Sequence, residues 1–253
     1  MKIITCCKII PNEEEIQVLP NRALSMENAS WKISQYDLNA LESGKQLAAE
    51  TGGTLTALSV GSTAALDSSK IRKDVLSRGA DELKLVIDDS RKFSDSLETS
   101  KAIAAALGSC EYDVVLCGMG SSDLYLQAVG IQVGTLLGLP VVNNVTGIKP
   151  AGDGLLHVER TLEDEVETLE VTLPAVLSVS SEINVPSVPA MREIMRAGKK
   201  PVNVLDVAAE DAVCLEVLEE LAPEQQERRQ QIIEGDGDEA VEALVQFLKK
   251  ECL

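Results

Sequence analysis

Strand-like and helix-like segments alternate along residues 2–147, and this order restricts the chain to a small group of folds. Short apolar runs that end at turn residues are followed by longer segments with apolar residues at helical spacing. Such alternation predicts a parallel sheet with right-handed crossovers and helices on both faces. The predicted strands are residues 2–7, 54–60, 83–87 and 113–117, with a further apolar run at 140–142, and the predicted helices are residues 38–51, 67–78, 96–107 and 123–137.

Beyond residue 150 the pattern becomes that of an antiparallel extension. Residues 155–162 and 166–173 alternate apolar and polar side chains, and Glu163-Asp164-Glu165 between them is typical of a solvated turn. Pro174 ends the second run, and residues 175–179 form a short apolar strand. The predicted fold class is therefore α/β, a Rossmann-like parallel sheet with an antiparallel extension.

The core has to be aliphatic, because the 253 residues include only one Trp, three Tyr and two Phe. A core of Val, Ile, Leu and Ala suits a parallel sheet covered by helices. No apolar run approaches the ~20 residues of a membrane span. The N-terminal run MKIITCCKII is too short for a signal peptide and has no cleavage site. We therefore expect a cytoplasmic protein without membrane insertion.

The formal net charge of −18 argues against two classes of partner. Nucleic acids and anionic membrane surfaces are bound by Lys and Arg, which are outnumbered here. An acidic protein of this kind fits basic protein partners, although a large charge also serves solubility alone.

The cysteines form no CxxC pair and no metal-ligand spacing, so we expect no disulfide, zinc site or iron–sulfur cluster. Most lie in or beside apolar strands, where a free thiol behaves as a small apolar side chain. The six are Cys6, Cys7, Cys110, Cys117, Cys214 and Cys252.

From Pro201 onward the composition changes, and we expect two parts, an α/β domain over residues 1–200 and a C-terminal arm over 201–253. Residues 208–231 are strongly charged. Gly235-Asp236-Gly237-Asp238 precedes an amphipathic helix predicted over residues 239–250. The helix needs a surface for its apolar stripe, either in its own domain or on a partner. That stripe consists of Val241, Leu244, Val245 and Leu248.

Ligands of open α/β sheets bind at the carboxyl ends of the strands, and the loop after residue 117 is the richest candidate. Its sequence, Cys117-Gly118-Met119-Gly120-Ser121-Ser122-Asp123, places glycines and hydroxyls ahead of a predicted helix. Glycine lets the backbone approach a phosphate, and helix N-terminal amides favour an anion. The alternative is an ordinary turn in which Ser122 or Asp123 caps the helix. From the residues alone, the phosphate-binding loop and the ordinary turn are equally well supported.

Catalytic constellations are missing from the sequence. His157 is the only histidine, it lies in a predicted strand, and no nucleophile has an evident partner. We predict no catalytic residue and no metal site.

The stretch 158–201 carries a specific family resemblance. It has Val158 with Arg160 two residues on, the acidic triplet 163–165, and Glu167 or Glu170 ahead of Pro174-Ala175-Val176-Leu177. This order resembles the signature of the electron transfer flavoprotein β subunit, with Ser178 as a mild departure. The resemblance extends through nearly the whole chain.

The resemblance implies a heterodimer with an α subunit, which would carry most contacts to a redox FAD. Electrons would pass from a dehydrogenase, such as an acyl-CoA dehydrogenase, to a quinone reductase or another acceptor. The β subunit would bind AMP or, in electron-bifurcating members, a second FAD. Tyr125 and Ala128 differ from the residues usual in the family at these positions, and Gln127 stands one position before the usual Gln. These differences resemble the branch of the family found alongside nitrogen-fixation and anaerobic carnitine-type systems, so the identity of the bound nucleotide is open.

By position, the resemblance assigns nucleotide contacts to the first two strand ends, the segment 34–37 and the glycine loop. Asp37 has an alternative interpretation as a plain helix N-cap. Arg160 is assigned to the flavin across the subunit interface. The predicted nucleotide-binding residues are Cys6, Ser34, Tyr36, Asp37, Val60, Gly118, Gly120, Ser121, Ser122, Asp123, Gln127, Ala128 and Val129.

The segment after Pro186 resembles the recognition loop that anchors dehydrogenase partners in this family. Met191, by position, is the anchor, with Ile194 and Met195 beside it. The alternative is a short helix packed on the core, with basic residues at its C-terminus.

Two rival functions remain. A stand-alone adenine-nucleotide-binding protein, of universal-stress or ATP-pyrophosphatase type, is suggested by Gly120 and Gly130 with nine residues between them. Ile131 stands where that type needs Ser or Thr, and no SGGxDS loop occurs. The other rival is a structural subunit with a vestigial nucleotide that acts by docking alone.

Overall fold

A computed structural model describes residues 1–90, 95–152, 154–207, 217–224 and 231–252. Within these ranges a short 3-10 turn lies at Glu13–Glu15. The strands are β1 (Lys2–Cys6), β2 (Ile9–Pro11), β3 (Gln17–Val18), β4 (Leu24–Ser25), β5 (Trp31–Ile33), β6 (Thr54–Gly61), β7 (Glu82–Ile87), β8 (Val114–Gly118), β9 (Val141–Gly152), β10 (Leu155–Thr161), β11 (Val166–Thr172), β12 (Ala175–Val179) and β13 (Val202–Val204). The helices are α1 (Gln35–Thr51), α2 (Thr63–Leu66), α3 (Ser69–Ser77), α4 (Ser96–Leu107), α5 (Val129–Leu137), α6 (Met191–Ala197) and α7 (Asp238–Cys252).

A nine-stranded sheet organises the fold, in the order β11-β10-β9-β12-β8-β1-β6-β7-β13. Neighbouring strands in the part of the sheet ordered β9-β12-β8-β1-β6-β7-β13 pair in parallel. The far side of β9 pairs antiparallel with β10, and β10 pairs antiparallel with β11. The prediction of a Rossmann-like parallel sheet with an antiparallel extension is confirmed.

Successive residues of the central strands face opposite sides of the sheet and supply two aliphatic clusters. Ile3 packs on the side of α1 and α3, with Leu41 and Val75. Ile4 packs on the side of α4 and α5, with Ala102 and Val133. Among the described residues, no aromatic side chain is fully buried in these clusters, as the composition predicts.

The helix predicted over 67–78 is present as α3, whose N-cap residue Ser68 accepts a hydrogen bond from the Ile71 N–H. The short helix α2 precedes it and was not predicted. The helix predicted over 123–137 begins only at Val129. The run at 140–142 is the start of β9, which continues to Gly152.

The chain divides into two compact units. The larger comprises Met1–Gln17 and Ser25–Glu219, and the smaller comprises Val18–Leu24 and Glu220–Leu253. In the smaller unit, Ala23 bridges Leu221, and α7 carries its apolar stripe on an exposed face. A membrane-crossing helix would have to be longer and more apolar than any helix found among the described residues.

Gly134 tests the packing of α5 on the sheet. A Cβ at this buried position would lie 2.1 Å from Val141 Cγ2 and 3.3 Å from Val176 Cβ, both on stiff β-branched side chains. We expect Gly134→Ala to lower the free energy of unfolding by about 1–3 kcal/mol, since overpacking outweighs the gain in helix propensity. Urea denaturation measures this change.

Gly198→Ala is the matched control, because Gly198 has a φ of −65° and its nearest neighbour is the flexible end of Lys73 at 3.4 Å. Equal stability of the two variants would contradict this account of α5 packing.

Candidate functional site

A cleft with about 730 Å³ of empty space opens at the carboxyl ends of β1, β6 and β8. We call it the strand-end cleft. Cys6, Val60 and Cys117 lie at these strand ends and line its floor. One wall is residues 118–128, here called the cleft loop, and the opposite wall is the first turn of α4 with Ser96 and Thr99.

The cleft is mainly apolar with a few polar groups near its rim. Leu58 and Ile103 contribute to the floor, and Leu124 and Leu126 project from the cleft loop. The polar side chains are Lys8, Asp37, Ser96, Thr99, Ser121 and Gln127. A surface of this kind suits a ligand with a flat apolar part and a polar or charged end.

Asp37, in the first turn of α1, ties two strand ends together beneath the cleft. One carboxylate oxygen accepts the backbone N–H of Lys8 at 2.8 Å, and the other accepts that of Gly118 at 3.1 Å. A Cβ on Gly118 would lie 2.5 Å from the same carboxylate, so only glycine permits this approach. The side chain is an internal clamp, and the interpretation of Asp37 as the N-cap is wrong, because Ser34 occupies that position.

Burial raises the pKa of Asp37 to about 7, although the hydrogen bonds from Lys8 and Gly118 act in the opposite direction. Desolvation therefore outweighs two favourable bonds at this carboxyl group.

The cleft loop is fastened to the N-terminus of α1 by side-chain contacts. Lys8 Nζ lies 2.6 Å from Asp123 Oδ2. The Gln35 N–H donates to Ser122 Oγ at 3.0 Å, and the Ser122 N–H donates to Ser34 Oγ at 3.3 Å. Burial works against the charge of Asp123, yet hydrogen bonds from Lys8 and Ser121 hold the pKa of this carboxyl below its ordinary value.

Two tyrosines add an aromatic contact to this attachment. The rings of Tyr36 and Tyr125 have centroids 5.2 Å apart at an interplanar angle of 32°. A Cβ on Gly120 would lie 2.6 Å from the Tyr125 ring, so Gly120 makes room for it.

The cleft loop has a backbone that no helix can contain. Tyr125 has a φ of 49° and Gln127 a φ of 57°, in the left-handed region. The predicted helix start at Asp123 is therefore wrong, as is capping by Ser122 or Asp123, and the N-cap residue of α5 is Ala128.

The predicted nucleotide-binding residues fall into two groups around the cleft. The first group lines it: Cys6, Asp37, Val60, Gly118, Gly120, Ser121, Gln127, Ala128 and Val129. The second group, Ser34, Tyr36, Ser122 and Asp123, holds the cleft loop in place through the contacts above.

Arg160 lies apart from the cleft on β10. Its Nε donates to Glu167 Oε2 on β11 at 2.6 Å, and its Nη1 lies 3.5 Å from Asn143 Oδ1. Asn143 borders a second depression, which shares Met119 and Gln127 with the cleft.

Several lining residues escaped the sequence interpretation. Lys8 lies two residues beyond the end of β1 and directly after the predicted strand 2–7, so the strand-end rule applied one residue further would have included it. Ser96 and Thr99 lie in the first turn of α4, which follows β7, and the sequence predicts no ligand contacts after that strand.

The segment 184–195, here called the docking segment, is anchored to the middle of α1. Asn39 Nδ2 donates to the Asn184 carbonyl at 2.8 Å, and Asn184 Nδ2 donates to the Asn39 carbonyl at 3.1 Å. Ser187 Oγ donates to Glu42 Oε2 at 2.7 Å. Polar residues of the docking segment that face α1 thus hold this segment against the helix.

Apolar side chains of the docking segment point outward. Val185 and Val188 are each 90% exposed, and Met191 and Met195 are each 72% exposed. Residues 191–197 do form a short helix, with Ala197 buried, so the predicted helix is present while its methionines face solvent.

A family model described as the electron transfer flavoprotein domain matches residues 23–210. The match runs from β4 to beyond β13 and includes the cleft loop and the docking segment.

Replacing Asp37 by Asn tests the clamp through its pH dependence. The wild-type carboxyl binds a proton more tightly in the folded than in the unfolded chain, where its ordinary pKa is 3.8. The stability of the wild type relative to Asp37→Asn should therefore fall as pH rises from about 4 to about 7, by up to roughly 4 kcal/mol, and be constant above that window.

Urea unfolding of both proteins across this pH range measures the difference between their free energies of unfolding. The other carboxyl groups titrate in both proteins, so their contributions to this difference cancel. A stability difference that is independent of pH, or that grows with pH, would contradict the assignment.

Proposed function

Because the chain belongs to the electron transfer flavoprotein domain family, we propose that it is the β subunit of a heterodimeric electron transfer flavoprotein. The observation that carries the proposal is the strand-end cleft with its preformed loop, which supports binding of an adenine nucleotide. The chain carries electrons only together with an α subunit, with which it shares an FAD. Bound FAD supplies the redox chemistry, and the chain supplies binding and orientation.

The strand-end cleft fits an adenine nucleotide in its chemistry. Leu58, Val60 and Ile103 offer an apolar surface for a base. The first intrahelical hydrogen bond of α5 runs from the Gln132 N–H to the Ala128 carbonyl at 2.9 Å. The backbone N–H groups that precede Gln132 in the first turn are therefore not used within the helix and can donate to a phosphate. Ser121 adds a hydroxyl at the same rim.

The backbone and hydroxyl groups have to supply most of this anion binding. Lys8 is paired with Asp123, so its positive charge is already balanced before a ligand arrives. Both AMP and the adenine end of a second FAD meet these requirements, and chemical identification of the bound nucleotide distinguishes them.

The docking segment and the C-terminal arm supply the proposed protein contacts. Met191, Ile194 and Met195, with Val185 and Val188, form an exposed apolar surface for the dehydrogenase donor. The apolar stripe of α7 packs on the α subunit, and Arg160 reaches the shared flavin. A quinone reductase or another acceptor then takes the electrons.

Purification of the tagged chain from its native cells tests the proposal. We expect a stoichiometric larger subunit, a flavin spectrum, and release of FAD with AMP, or of two FAD, on denaturation. A colourless single chain that releases ATP or AMP would contradict the proposal and favour a stand-alone nucleotide-binding protein.

Gly120→Ala tests the cleft loop as the nucleotide-binding element. The added methyl displaces the Tyr125 ring and with it the loop, so we expect nucleotide affinity to fall by about ten-fold or more. Equilibrium titration of the nucleotide-depleted complex measures this, with Gly198→Ala as the control. Unchanged affinity in Gly120→Ala would contradict the role of the loop.

Met191→Gln tests the docking surface. Loss of an exposed apolar anchor should slow flavin reduction by the donor dehydrogenase by about ten-fold while bound nucleotide is unaffected. Stopped-flow kinetics at subsaturating donor measures the rate. Leu136→Gln, at an exposed leucine on α5, is the control, and an equal effect in both variants would contradict the assignment.

A further inference from the structure

Two cysteines that are 111 positions apart in the sequence lie side by side in the floor of the strand-end cleft. The parallel register of β1 and β8 pairs Thr5 with Leu116, which makes Cys6 and Cys117 the next pair along. Both side chains belong to the cluster packed against α4 and α5, and both line the cleft. Both cysteines are free thiols.

This placement satisfies the main geometric requirement of a disulfide. Neighbouring strands lie about 4.8 Å apart, and disulfide-bonded cysteines have Cα atoms about 4.4–6.8 Å apart. Cys7 is excluded from the pair, because its side chain belongs to the cluster on the other face, with Ile33 and Ala65. Alternation along β1 thus selects Cys6 as the neighbour of Cys117.

We propose that Cys6 and Cys117 form a reversible disulfide when a small hydroperoxide enters the strand-end cleft. One thiol attacks the peroxide, which breaks the O–O bond, forms a sulfenic acid and releases water or an alcohol. The second thiol attacks the sulfenic sulfur, forms the S–S bond and releases water. Two electrons pass from the thiols to the peroxide. A small-molecule dithiol then reduces the S–S bond back to two thiols by thiol–disulfide exchange and is itself oxidised to a disulfide.

The cleft determines which oxidants reach the pair. Cys6 and Cys117 are only 6% and 4% exposed, and both line the cleft. Hydrogen bonding to Cys117 and burial raise the pKa of the Cys6 thiol, so the pair reacts slowly and resists bulky charged reagents. A small neutral hydroperoxide is the class of oxidant that fits these conditions.

Formation of the disulfide should also change the contact between the floor of the strand-end cleft and the first turn of α5. The Cβ of Cys117 lies 3.3 Å from where a Cβ on Gly130 would be, so the first turn of α5 packs directly on Cys117. Drawing Cys117 towards Cys6 alters that contact and the apolar floor. If the proposed nucleotide function is correct, on which this consequence rests, oxidation lowers nucleotide affinity by about ten-fold.

The test treats the folded, nucleotide-depleted full chain with hydrogen peroxide and then alkylates free thiols in denaturant. Digestion without reduction should yield a Cys6–Cys117 linked peptide, which dithiothreitol removes. Cys7→Ser should retain the link, and Cys117→Ala should abolish it. Alkylated Cys6 and Cys117 in the treated wild type, or a link of Cys6 to a different cysteine, would overturn the proposal.

The same reaction with added AMP separates this proposal from the nucleotide assignment. Slower cross-linking with AMP supports both. Equal rates with and without AMP, with the link still formed, support the thiol pair and count against AMP in this cleft.

Discussion

The Asp37 carboxylate is the interaction on which the candidate site depends. It accepts the backbone N–H groups of Lys8 and Gly118 and so joins the first turn of α1 to the ends of β1 and β8. The cost is visible in its pKa, which burial raises to about 7. A carboxylate buried at such cost defines where the cleft loop begins and how closely it approaches the sheet.

Helix α1 connects the two surfaces of the proposed function. Its N-terminus holds the cleft loop through Ser34, Gln35 and Tyr36. Its middle holds the docking segment through Asn39 and Glu42. Both attachments use polar groups with directional hydrogen bonds, so one rigid element sets the geometry of a ligand cleft and of an exposed apolar surface.

The periodic part of the fold could be predicted from the sequence, whereas features set by long-range contacts could not. Ser96–Leu107 and Ala175–Val179 have their predicted bounds, because their spacing and flanking turn residues are local signals. Residues 123–128 of the cleft loop were predicted to be helical, since no local sequence signal indicates a positive φ at Tyr125 or Gln127. Its conformation follows from contacts with Tyr36, Ser34 and Lys8, which are distant in the sequence.

The site shows the same division between local and long-range information. Strand-end positions such as Cys6 and Val60 could be predicted to lie together, because parallel strands bring their carboxyl ends to one edge. The proximity of Cys6 and Cys117 depends on strand order and register, which spacing does not reveal. A crystal structure of the complex purified with its native nucleotide tests the central claim most directly. We predict electron density for an adenine nucleotide between the cleft loop and the ends of β1 and β6, and an adenine nucleotide bound elsewhere on the chain would contradict the account.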